Sequence, residues 1–188
     1  MTISPTALSE VLLIQPKKFE DERGWFSESF RLDLLHKALG RCLNFCQENH
    51  AQSSYGVIRG LHYQMPPFAQ SKLVSVPYGK VLDVVVDIRK GSPDFGKHIT
   101  LELSSENQKQ LFIPPGFAHG YACLSETALF SYKVESYYNK DSEASIAFDD
   151  PKLAIDWQIP MGKQVLSSKD REHPTFEAAK YFDYKIDI

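Results

Sequence analysis

Residues 59–64 read RGLHYQ, a strand-like segment between a turn-like SSYG and a Pro-Pro loop. An arginine and a histidine in such a segment are candidates for chemistry. Imidazole titrates close to neutral pH, so His62 could move a proton, ligate a metal or help hold a phosphate. It could equally fill a hydrogen-bonding slot in the core. Lys72 opens the next strand-like run, KLVSV. Two cations beside a titratable imidazole suit an anionic ligand or a developing enolate, because a preorganised positive charge favours the forming negative one. Geometry raises an objection. The odd separation of Arg59 and His62 points them to opposite faces of an ideal strand. Both can line one cavity only if the backbone bends, and Gly60 is the place for a bulge.

The other histidines are weighed the same way. His119, in PPGFAHG, lies between Phe117 and Tyr121 and could be a lone ligand. Metal sites usually draw on His, Cys, Asp or Glu pairs at close spacing. The chain has no HxH, HExxH or CxxC, so a site would have to be assembled from scattered residues, and no metal is expected. His36, His98 and His173 fall in helix-like, turn-adjacent and tail segments and are given structural roles; His50, after QEN, is ambiguous. The cysteines, Cys42, Cys46 and Cys123, are odd in number and form no array. Reduced thiols are therefore expected rather than disulfides or a zinc ribbon.

The elements that must position these groups are mostly short strands. Strand-like runs at 11–16, 24–30, 44–53, 56–64, 98–104, 109–116, 117–124 and 127–138 are separated by turn signals about every 8–12 residues, the spacing of a β-sandwich or barrel. Residues 72–89 read as two strands around a Pro77-Tyr78-Gly79 turn. In the second, Leu82, Val84, Val86 and Ile88 share a packing face; the other mixes Asp83, Asp87 and Arg89 with Val81 and Val85. Lys72 shares a face with Val74 and Val76, and Tyr132 and Tyr138 share one with Phe130 and Val134. These polar residues among apolar neighbours fit the walls of a partly polar cavity, or a rim where long side chains snorkel. One helix is predicted over 31–39, with Leu32, Leu35 and Leu39 on one side and Gly40 ending it. The Pro- and charge-rich tail from about 151 is expected to wrap the outside, with some short helix.

At 188 residues and 43% hydrophobic content, the chain suits one domain with a sizeable core. A net charge of -3 without a basic stripe argues against nucleic acid as a partner. The N-terminus shows no basic region followed by a long apolar run, and no stretch approaches the ~18 apolar residues of a membrane helix. A cytoplasmic protein with no membrane partner is expected.

Long motifs then narrow the reading. FEDERGWFSESF, QENHAQSSYGVIRGLHYQ, QSKLVSVPYGKVLDVVVDIRKGSPDFG, PPGFAHGY, SYKVESYYNKDSEASIAFDDP and LSSKD occur in this order. Together they resemble the dTDP-4-dehydrorhamnose 3,5-epimerase family from about Phe19 to Asp170. PPGFAH also resembles the second cupin motif, while the metal-binding HxH of the first is absent. The resemblance implies a cupin-type jelly roll, all-β with a few short helices, a homodimer, and epimerisation of a dTDP-linked 4-keto sugar without a cofactor. His62 matches the family's base, Asp170 its acidic partner, Lys72 the cation facing the enolate oxygen, and Tyr132 the proton donor on the far side. Arg59 and His119 match groups that face the diphosphate and sugar. Arg23 and Glu28 match nucleotide contacts reaching across the dimer. Gln47, Asn49, Glu143 and Lys169 complete the binding set, with Tyr138 as a stacking or pyrophosphate-side aromatic and Asp83 as a further hydrogen-bonding group. FDDP and DWQIP depart from the family's usual pattern near the tail. A single-centre epimerase, a non-catalytic nucleotide-sugar-binding protein and a metal-dependent cupin enzyme are the alternatives.

Overall fold

The computed structural model describes residues 1–184. Its first strands are β1 (Thr2–Pro5), β2 (Leu12–Gln15), β3 (Lys18–Asp21), β4 (Gly24–Ser27), β5 (Gln47–Ser54), β6 (Ile58–Gln64) and β7 (Lys72–Tyr78). There follow β8 (Lys80–Asp87), β9 (Arg89–Lys90), β10 (His98–Ser104), β11 (Gln110–Ile113), β12 (Phe117–Cys123), β13 (Thr127–Val134), β14 (Glu143–Ser145) and β15 (Phe182–Asp183). Two antiparallel sheets pair in the orders β1-β2-β11-β7-β13-β5 and β10-β8-β12-β6-β14. They form the jelly-roll sandwich that the turn spacing and the motifs predicted.

The predicted turn between β7 and β8 narrows to Gly79, where the chain crosses from one sheet to the other. Its φ is +76°, and a Cβ there would stand 2.1 Å from the Thr127 carbonyl oxygen, so only glycine fits. Apolar side chains from both sheets fill the interior: Val74 and Val76 from β7, Val81 and Val85 from β8, Phe117 and Tyr121 from β12, and Phe130 from β13.

Strand β8 departs from the half-buried expectation, because both its faces are packed. Leu82, Val84, Val86 and Ile88 meet Leu153, Trp157, Ile159, Phe176 and Phe182 of the tail. The tail thus acts as a third layer over the five-stranded sheet. Asp150, in the atypical FDDP stretch, anchors it: its carboxylate accepts the Lys152 N–H at 2.9 Å and the Phe176 N–H at 2.7 Å. On the opposite flank, helix α1 (Leu32–Leu39) lays Leu35 and Leu39 on Leu73 and Phe112, while Leu32 in its first turn stays exposed. Gly40, at φ +67°, caps the helix by donating to the His36 carbonyl. A second helix, α2 (Ser168–Arg171), lies in the tail and docks on β6, where it delivers Asp170.

Candidate active site

Strands β6 and β12 bring the two singled-out histidines together. His119 is the register partner of His62, and Tyr121 is the partner of Arg59. Between those pairs Gly60 and Leu61 of β6 oppose Gly120 alone, a β-bulge at the predicted place. The Gly60–Leu61 peptide is cis. Gly60 has φ +127°, and a Cβ on it would meet the Gly120 Cα at 2.6 Å. The extra residue removes the alternation problem, and Arg59 and His62 line the same cleft.

That cleft, 240 Å³ in volume, opens between the two sheets. Arg59, His62, Tyr63, Gln64, Gln70, Lys72, His119, Tyr121, Tyr132, Tyr138, Glu143 and Asp170 line it with Ala51, Gly120 and Phe130. Asp170 Oδ1 stands 2.8 Å from His62 Nε2. The contact becomes an ion pair only when the imidazole is protonated. Burial opposes ionisation of Asp170. Contacts with His62, the Ser167 hydroxyl at 2.6 Å and the Gly60 N–H at 3.4 Å outweigh it and hold the carboxyl well below the usual carboxylate range. Asp170 is therefore a fixed anion behind His62.

A second buried pair lies beside the first. His119 Nε2 is 2.9 Å from Asp83 Oδ2, and Asp83 is fully buried. Burial lowers the pKa of His119 against the opposing pull of Asp83. Lys72 Nζ donates to the His62 carbonyl at 3.2 Å. Its pKa is pushed down to about 8 by burial, with Asp83 and Glu143 partly restoring it. Burial raises the Tyr132 pKa, keeping the phenol protonated and able to donate. Arg59 is held by Ser53 Oγ at 3.2 Å, and Ser53 in turn meets the Tyr121 hydroxyl at 2.9 Å.

Toward the mouth, Glu143 accepts from the Tyr138 hydroxyl at 2.9 Å and from Lys169 Nζ at 2.6 Å. Gln47 donates to Asn49 at 2.8 Å and accepts the Tyr138 N–H at 3.2 Å. These two alternate along β5 with Glu48 and His50, and share a strand face with Ala51 of the cleft. Arg23 and Glu28 do not join the site in this chain. Arg23 sits at the tip of the β3–β4 hairpin on Asp21, and Glu28 pairs with Arg31.

His173, expected to be structural, packs against the candidate site. Its ring meets His62 edge to face with centroids 5.0 Å apart, and Nε2 lies 3.7 Å from Asp170 Oδ1. The signal for it was its three-residue offset from Asp170 in SSKDREH, which puts both on one side of a helical turn. Potential metal donors of His62, Asp170 and His173 all lie within 4.8 Å of one another.

The family model for dTDP-4-dehydrorhamnose 3,5-epimerase matches residues 5–178. The chain is 47% identical over 182 residues to the Shigella flexneri dTDP-4-dehydrorhamnose 3,5-epimerase, covering 97% of this chain and 99% of that protein. The chain belongs to the dTDP-4-dehydrorhamnose 3,5-epimerase family. Its fold matches the crystal structure of the Legionella pneumophila dTDP-6-deoxy-D-glucose-3,5-epimerase in complex with dTDP-4-keto-L-rhamnose, with a TM-score of 0.92, 44% identity and 98% coverage of each chain. A 3'-monoepimerase from Streptomyces bikiniensis, in complex with dTDP-quinovose, is also similar, with a TM-score of 0.86 and 31% identity over 93% of this chain and 87% of that one.

Cleft size does not single out the His62 cleft. A larger cleft, 440 Å³, lies on the outer side of the six-stranded sheet among Trp25, Phe30, Glu48, His50 and Lys133. Its ionic contacts, Lys133–Glu48 and His50–Glu48, involve side chains 29–59% exposed. The His62–Asp170 and His119–Asp83 pairs belong to the smaller cleft, and perturbed groups in a sheltered cleft are the better guide.

Proposed function

We propose that His62 and Tyr132 work from opposite walls of the cleft to invert C3 and C5 of dTDP-4-keto-6-deoxy-D-glucose, giving dTDP-4-keto-L-rhamnose. One observation carries the reading. His62 comes from β6 in the five-stranded sheet and Tyr132 from β13 in the six-stranded sheet, yet both line one cleft with Lys72. A sugar held between the sheets has a base on one face and a proton donor on the other, which inversion requires.

The C4 ketone acidifies the hydrogens on C3 and C5. His62 takes the proton, and the electron pair of the C–H bond moves into a C3–C4 or C5–C4 enolate with its charge on the C4 oxygen. The Lys72 ammonium stabilises that charge, and Asp170 stabilises the imidazolium. Tyr132 gives its proton to the opposite face of the same carbon. His62 then returns its proton to solvent and Tyr132 regains one before the second centre reacts. The ketone supplies the acidity in this scheme, and no cofactor takes part.

We assign Arg59 and His119, the latter steadied by Asp83, to the diphosphate and sugar. Gln47, Asn49, Tyr138, Glu143 and Lys169 take the nucleotide side. Arg23 and Glu28 act across a homodimer: the β3–β4 hairpin that carries Arg23 exposes Phe19, Trp25 and Phe26, and such an apolar surface suits a second copy of the chain. Deuterium wash-in from heavy water, followed by proton NMR on the keto sugar, tests the reading. Exchange at C3 and C5 is expected. Exchange at one carbon would make it a single-centre enzyme like the Streptomyces relative, and no exchange would leave a binding protein.

A further inference from the structure

We propose that His62, Asp170 and His173 form a transition-metal site that captures Zn2+ in the substrate-free enzyme and so silences the base. The catalytic reading needs His62 and Asp170 but leaves His173 without a task. Its side chain is only 4% exposed, and neither ring nitrogen has a hydrogen-bond partner among the described residues. The Ile146 carbonyl, which already accepts the Leu61 N–H at 3.1 Å, lies within reach of the ring. A buried polar atom without a partner loses its hydration and gains nothing in return. His62 Nε2 is unpartnered by the same measure, although Asp170 is beside it. Three potential ligand atoms therefore gather within 4.8 Å of one another, and those of His62 and His173 have no hydrogen-bond partner among the described residues.

The donor set selects the ligand. Two imidazoles and one carboxylate suit Zn2+ and its neighbours; Mg2+ and Ca2+ need more oxygen. Zinc bonds of about 2.0–2.2 Å set tetrahedral ligand atoms roughly 3.3–3.5 Å apart. The separations from Asp170 Oδ1, 2.8 Å to His62 and 3.7 Å to His173, bracket that spacing. No pair of donors exceeds 4.8 Å, so small side-chain rotations close the triangle. The approach is from the cleft, where the His62 side chain is 32% exposed. The nearby Lys169 charge is offset by Glu143 at 2.6 Å.

Zinc binding and zinc inhibition are separate consequences, and only the second rests on His62 being the base. Binding is measured by calorimetry with Zn2+ alone on the substrate-free protein. Co2+ serves as a spectroscopic stand-in, since its visible bands report tetrahedral nitrogen and oxygen ligation. One equivalent should bind in the wild type. His173→Leu keeps the volume and removes the ligand, and should weaken zinc by more than ~100-fold, beyond what losing an outer-shell partner costs. The same substitution should leave epimerisation in place while removing its chelator-reversible inhibition by zinc. The substrate diphosphate sequesters zinc equally in both proteins, so their difference is free of that effect. Unchanged zinc affinity in His173→Leu, or no stoichiometric binding in the wild type, would overturn the site. If zinc binds through His173 yet activity persists, the site stands, the inhibition is overturned, and the base assignment of His62 falls with it.

Discussion

At the scale of single residues, His62 carries the most weight, and its loss separates binding from chemistry. His62→Ala should lower kcat by about 10²–10⁴-fold, the typical worth of a positioned base, with dTDP affinity nearly unchanged. Turnover within a few-fold of wild type would move the base elsewhere. Tyr132→Phe asks a finer question, because it removes a hydroxyl from the far wall and leaves His62 and Asp170 intact. Solvent deuterium should still enter the recovered substrate while product formation collapses; equal loss of both would mean Tyr132 only shapes the cleft. Lys72 yields the pH dependence. A lysine whose pKa has fallen to about 8 is cationic below that value and neutral above it. The enolate therefore loses its stabilising charge as pH rises through about 8. The kcat/KM profile, which reports the free enzyme, should show that alkaline limb. Lys72→Arg, with a guanidinium that stays protonated above pH 12, should remove the limb even if its absolute rate is poorer. A limb unmoved by that substitution would belong to another group.

Elements decide whether those residues meet, and here Gly60 is critical. Gly60→Ala forces a Cβ against the Gly120 backbone at a φ of +127°, and should lower stability by roughly 2–3 kcal/mol in urea unfolding. If the bulge relaxes, Arg59 and His62 part to opposite faces and activity falls with it; a stable, active Gly60→Ala protein would show that the register shift is dispensable. The bulge was legible in the sequence because an odd separation had to be reconciled with one cavity. Most sandwich strands were legible too, since turn residues and alternating apolar positions are local signals. The short pairs β9–β15 and β6–β14 were not, for a two- or three-residue strand exists only by virtue of its partner. Nor was the double burial of β8, because the face of Leu82 and Val84 is covered by residues such as Trp157 and Phe176, far along the chain. The same long-range docking hid His173. Nothing local ties the tail to RGLHYQ, and Asp170 entered the expected site only through the motif it shares with its family.

The whole molecule poses the question of completeness. In one chain the cleft holds the proposed acid–base pair, while Arg23 and Glu28, matched by motif to nucleotide contacts, sit on surface segments engaged with Asp21 and Arg31. A dimer in which each hairpin enters its partner's cleft reconciles the two facts, and the exposed Phe19, Trp25 and Phe26 fit the apolar part of such an interface. Subunit complementation tests that arrangement directly. Chains carrying Arg23→Ala keep His62, and chains carrying His62→Ala keep Arg23. Neither homodimer has a complete site. Random mixing makes half the dimers hybrids; in each hybrid, one site joins an intact His62 to an intact Arg23 from the other chain. Co-refolded mixtures should therefore recover about a quarter of wild-type activity if reassortment is complete and sites are independent. If Arg23 instead served the cleft of its own chain, no hybrid site could combine both residues, and mixing would recover nothing beyond the average of the two parents.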